Sequence, residues 1–106
     1  MVWARFDDDW DDRPEILALT AQGHRAYVAS ILYVARFTTD GHLPAAALKT
    51  RDARAAAELV KRGLWEPTEA GWYAPLWREH VPSRADLEKA RNANAERVRR
   101  HRKGGP

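Results

Sequence analysis

Three carboxylates, Asp7, Asp9 and Asp11, alternate along the run Asp7-Asp8-Asp9-Trp10-Asp11-Asp12. Alternating oxygens open a calcium-binding loop, which then needs glycine at its sixth place and a bidentate glutamate at its twelfth. Asp12 and Ala18 stand at those places. The run therefore reads as a solvated acidic loop, placed near a helix N-terminus where negative charge is favoured. The four histidines are scattered and none has a partner at ligand spacing. His24 reads as a structural or surface residue. No His-Glu-x-x-His, nucleophile elbow or glycine-rich phosphate loop is present, and the one Gly-Gly pair lies at the end of the chain. The expectation is a protein that is not an enzyme and uses no cofactor and no metal.

Fixed positive charge is the other chemistry on offer. The net charge is only +3, but residues 84–103 hold eight Lys or Arg against Asp86, Glu88 and Glu96. The remainder is mildly acidic. A basic segment on a near-neutral body suits a polyanion, most often nucleic acid. Arg97, Arg99, Arg100, Arg102 and Lys103 are the candidates for phosphate contact. A solvated helix serving solubility is the alternative reading of the same charges. A second set of cations, Lys49, Arg51, Arg54, Lys61 and Arg62, sits mid-chain.

The elements around that second set are the informative ones. Asp40-Gly41 reads as a turn, with Gly41 at positive φ. The extended pair His42-Leu43 leads to Pro44, which suits the first position of a helix. Two helical runs follow, Pro44–Lys49 and Asp52–Arg62, the second capped by Thr50 or Asp52 and stopped by Gly63. Leu43, Ala47 and Leu48 point inward from the first. Ala53, Ala56, Ala57 and Val60 form the inner face of the second, with Leu59 at its edge. Its outer face is then Arg51, Arg54, Ala55, Glu58, Lys61 and Arg62. That face is a candidate for reading a DNA groove, or a salt-bridged ladder with Glu58 four residues from both Arg54 and Arg62. Leu64–Trp77 reads as a two-stranded hairpin that alternates as far as Trp77, with Trp65 in the core. Helix, turn, helix, hairpin is the order of a winged helix-turn-helix, whose second helix enters a DNA groove and whose hairpin touches the backbone.

On the N-terminal side, Val2–Phe6 reads as extended and Pro14–Leu19 as a short helix with Ile16 and Leu17 inward. Thr20 caps the clearest helix, Ala21 to Phe37, whose apolar residues Tyr27, Val28, Ile31, Leu32, Val34 and Ala35 recur at helical spacing. On the C-terminal side, His80-Val81-Pro82 reads as a linker. Ser83 caps a last helix with Asp86 as its capping-box partner. Apolar residues thin out after Ala90, so this helix protrudes or frays, and Gly104-Gly105-Pro106 reads as disordered. The 106 residues set one main domain, 1–82, and a basic helix with its tail, 83–106. No apolar run spans a bilayer, no leader precedes the acidic loop, and the absence of cysteine fits a reducing compartment, so a cytoplasmic protein is expected.

In their order and spacing several of these strings resemble one family. They are Asp8-Asp9-Trp10-Asp11-Asp12-Arg13-Pro14, Thr39-Asp40-Gly41, Leu59-Val60-Lys61-Arg62-Gly63-Leu64-Trp65, Val81-Pro82-Ser83-Arg84 and Asn94-Ala95-Glu96-Arg97-Val98-Arg99-Arg100-His101-Arg102. The chain resembles the N-terminal winged-helix domain of replisome-organiser-like and helix-turn-helix proteins of actinobacterial phages and prophages. The resemblance implies binding to double-stranded DNA, a role in replication initiation or transcription control, and a replication or host protein as a further partner.

The combined expectation is an α+β winged helix-turn-helix, mostly helical, with a small hairpin wing and a basic C-terminal helix. Lys49, Arg51, Arg54, Lys61, Arg62 and the tail cations would contact DNA. The competing expectation is a protein-interaction module that docks through Asp7–Asp12 or through the C-terminal helix.

Overall fold

Thr20 has a side-chain oxygen and an extended backbone, and its Oγ1 accepts from Gly23 N at 3.1 Å. This satisfies one of the free N–H groups that every helix start leaves, and helix α2 runs over Ala21–Phe37 as the sequence predicts. The computed structural model describes residues 3–48 and 53–104, and the side-chain surroundings of 3–46 and 53–100. Tyr27, Ile31, Val34 and Ala35 of α2 are buried, whereas Leu32 is half exposed. Leu32 shares its face with Ala29 and Arg36, which are also exposed. Before α2, a 3-10 turn at Trp10–Asp12 buries Trp10, and helix α1 covers only Pro14–Leu17. Ile16 is buried, but Leu17, expected inward, is 67 % exposed. Neighbouring helical side chains point in different directions, so a one-turn helix buries only one of such a pair.

After α2 the chain turns through Thr38, Asp40 and Gly41, all with positive φ (48°, 53° and 93°). Strand β1 (His42–Pro44) follows, then helix α3 (Ala45–Leu48). Pro44, expected to open the helix, instead ends the strand. It lies opposite Gly71 on an edge strand, where its missing N–H costs no ladder bond. The predicted caps Thr50 and Asp52 lie outside the described residues, as do the side chains of Ala47 and Leu48.

Helix α4 (Ala53–Lys61) packs on α2 and ends as the glycine predicts. Gly63 N bonds to Val60 O and Leu64 N to Leu59 O, which is a Schellman closure with Leu59 and Leu64 both buried. Its inner face differs from the expected one. Ala55, Ala56 and Leu59 are buried, while Ala53 and Ala57 are exposed. Alanines bury little area wherever they point, so the single leucine sets the rotation of the helix.

Strands β2 (Glu66–Pro67) and β3 (Gly71–Tyr73) form the expected hairpin, and β1 joins it to give an antiparallel sheet in the order β1-β3-β2. The approach of β1 to β3 requires a glycine: a Cβ on Gly71 would lie 2.1 Å from Leu43 O. The predicted alternation stops at Tyr73, and Trp77 belongs to a 3-10 turn, Trp77–Glu79, rather than to a strand. Trp65 is 1 % exposed, donates from Nε1 to Ser30 Oγ at 3.2 Å and packs at a tilt against Trp72, ring centroids 5.0 Å apart. Its placement in the core matches the expectation.

The segment His80-Val81 is not a linker. Both side chains are buried, and His80 stacks on Phe6 at 4.6 Å. Arg5 N donates to His80 O at 2.7 Å, and the His80 ring returns a bond from Nδ1 to Arg5 O at 2.9 Å. A carbonyl only accepts, so Nδ1 carries the proton and Nε2 is left bare; Nε2 is buried and has no hydrogen-bond partner among the described residues. Burial pushes the His80 pKa down from its ordinary value, against the smaller opposing effect of the Arg5 carbonyl.

Helix α5 (Arg84–Gly104) completes the chain. Its capping box is in place: Asp86 N donates to Ser83 Oγ at 3.0 Å and Ser83 N to Asp86 Oδ2 at 3.4 Å. The Ser83 hydroxyl first, and then the Ser83 N–H, hold the Asp86 carboxyl below its ordinary pKa. Arg84 N is bonded in turn to Asp40 Oδ1 at 2.9 Å. The molecule measures 63 × 32 × 17 Å. A helix of this length is about 31 Å long, roughly half of that long dimension. Gly104 is its last helical residue, and Gly105 and Pro106 lie outside the described residues.

Candidate nucleic-acid interface

The mid-chain cations stand on or beside α4. Arg54, Lys61 and Arg62 are exposed. With the helix rotation set by Leu59, its solvent face is Ala53, Arg54, Ala57 and Lys61, two cations beside two small residues. Lys49 and Arg51 lie outside the described residues.

Glu58 leaves that face. Its Oε1 accepts from Thr20 N at 2.6 Å and its Oε2 from Thr20 Oγ1 at 2.7 Å. The carboxylate of one helix thus caps the start of another, where negative charge is favoured by the free N–H groups. The expected repulsion between Glu58 and an approaching phosphate is weakened, because the carboxylate is turned toward α2. Sequence reasoning missed this contact, since spacing within α4 carries no information about Thr20.

The hairpin tip contributes no positive charge. Residues 66–70 are exposed and contain Glu66 and Glu69 without a cation. The expected backbone contact by this tip therefore has no attractive partner for a phosphate.

Helix α5 holds the densest charge. From Glu88 to Arg100 every residue is exposed. Arg100 Nη2 pairs with Glu96 Oε1 at 3.0 Å, and Arg97 Nη2 donates to Asn94 Oδ1 at 2.9 Å. Both are contacts within one turn of an exposed helix, worth only tenths of a kcal/mol in water, so a phosphate can replace them. Arg99 is exposed. Arg102 and Lys103 continue the same helix, with their side chains outside the described set. At the root of α5 a cleft is lined by Trp3, Arg5, Arg78 and Pro82 together with the carboxylates Glu79 and Asp86. Arg5 lies over the Trp3 ring at 6.0 Å and Arg78 over Trp77 at 5.8 Å. Sequence reasoning did not count these two cations, because they sit far apart in the chain.

On the acidic loop, Asp11 Oδ1 lies 3.1 Å from His24 Nε2, and the His24 ring stands 5.1 Å from Trp10. Among the described residues no three His, Asp or Glu are grouped to hold a metal ion, and no described helix is long and apolar enough to cross a membrane.

Comparisons with protein-family models, with curated proteins and with solved structures return no match to this chain.

Proposed function

We propose that this protein binds double-stranded DNA as a winged helix-turn-helix with a basic helical arm. The observation that carries the reading is α5: a helix standing clear of the body, with five cations after Glu96 and no acid among them. Such charges repel one another in the free protein, and a polyanion with its counterions relieves that cost. The element order from α2 to β3 and the sheet order β1-β3-β2 are compatible with a winged helix. In that fold α4 is the groove-facing helix, and its solvent face of Ala53, Arg54, Ala57 and Lys61 allows close approach with positive charge. The resemblance to phage replisome-organiser-like proteins adds replication initiation or transcription control as the setting.

Fluorescence anisotropy on duplex DNA across a salt series tests the reading. If each of the five cations after Glu96 meets one phosphate, the chain ending at Glu96 should lose about 4–5 units of log–log salt slope, at ~0.9 per contact. Equal slopes for the two chains would remove α5 from the interface.

A further inference from the structure

Val98 is out of place on a helix that serves only as a charged tether. It is 43 % exposed, on a stretch where no neighbouring element covers it. Asn94 lies one turn before it and Arg91 three residues before Asn94, so the three share one stripe of the helix. His101 continues that stripe by position. Glu96, the only acid after Glu88 in α5, is two residues from both Asn94 and Val98 and therefore faces the opposite way. Arg97 lies to one side of the stripe and Arg99 to the other, so cations flank it on both sides, while Arg100, paired with Glu96, faces away. A helix resting on a single phosphate strand would gather its cations on one face.

We propose that the distal half of α5 enters the major groove of duplex DNA, with Asn94 and Val98 toward the base edges and the flanking arginines on the two phosphate walls. The proposal rests on the DNA-binding reading above and deepens it: α5 becomes a base-reading element as well as a source of charge. The dimensions agree, since a helix with side chains is about 10–12 Å across and the major groove is about 12 Å wide. Exposure on every side from Glu88 to Arg100 lets two walls close around the helix. A carboxamide recognises the N6 and N7 edge of adenine, and an apolar side chain contacts the thymine methyl. The target is therefore a site containing A·T pairs. In the free protein Arg97 donates to Asn94 Oδ1; a phosphate that takes Arg97 frees the carboxamide for a base. A-form RNA is excluded as the partner, because its deep, narrow major groove does not admit the helix.

Selection from a random-sequence duplex DNA pool, run with the full chain and with an Asn94→Ala/Val98→Ala chain, tests this. The full chain should enrich a motif containing A·T pairs; the double variant should keep the salt slope and lose the motif. Replacing thymine by uracil in the enriched duplex removes only the methyl group. That change should weaken the full chain about fourfold and leave a Val98→Ala chain unaffected. The proposal is overturned if the double variant enriches the same motif, if the full chain binds DNA with salt dependence but enriches none, or if it prefers duplex RNA. Absence of any duplex binding at low salt would overturn the DNA-binding reading as well, and is distinct from those three results.

Discussion

Trp65 and Val98 are both sizeable apolar side chains, and the molecule treats them in opposite ways. Trp65 is 1 % exposed among α2, Ser30 and Trp72; Val98 is 43 % exposed on the outer part of α5, where every described residue from Glu88 to Arg100 is exposed. The body is ordered by burial of aromatic surface and by bonds between distant residues, such as Arg5 with His80 and Thr20 with Glu58. Helix α5 is ordered by its own backbone and by its capping box. Helices without tertiary packing are marginal in water. The body thus carries the stability, and α5 is free to be judged by what it meets outside the molecule.

That division is open to four tests. Trp65→Ala removes a buried indole and should cost about 3–5 kcal/mol, read as a drop in the urea midpoint; an unchanged midpoint would mean that the core does not depend on this ring. Glu58→Ala removes both bonds to Thr20 and should cost about 1 kcal/mol, the scale of a lost helix cap.

The third test is one of pH. The pKa of His80 is lowered in the folded state, chiefly by burial, so near and below its ordinary value the unfolded chain binds the extra proton. Stability from this group is complete above about pH 6.5 and falls as the pH drops from there toward the lower folded value. The urea midpoint should decline over that window, and a His80→Gln chain should decline less. Asp86 has a lowered pKa too, but as a carboxylate it acts at more acid pH.

The smallest effect belongs to α5. Ending the chain at Glu96 removes no buried side chain among the described residues, so the melting temperature should stay within the range of a surface change, about 0.5 kcal/mol or less. A large loss in that chain would erase the contrast between the two regions.

Much of the local structure was legible from the residues. Thr20, Gly63 and Ser83 act through their own backbone neighbourhoods, so caps and stops could be read from one stretch at a time. The hairpin and the burial of Trp65 followed from pattern and size. What was hidden depends on residues far apart in the chain. Nothing near His80 announces that it bonds the backbone of Arg5, and nothing in α4 announces that Glu58 belongs to Thr20. The rotation of α4 was misjudged because alanines give a helical pattern no preferred side. In the candidate interface, the density of cations on α5 and its protrusion after Ala90 were plain, whereas the cations Arg5 and Arg78 at its root emerged only in three dimensions.

The bond from Arg84 N to Asp40 Oδ1 gives α5 a fulcrum. With Ser83 buried beside it, the helix starts from a point held to the body, and its tip lies about 30 Å away. A sideways push on the tip is delivered with that leverage to the turn holding Thr38, Asp40 and Gly41, whose backbone is already left-handed at three of four residues. That turn also joins α2 to β1. Torque from a bent or sliding polymer would therefore reach the junction of the helical layer with the sheet through this bond.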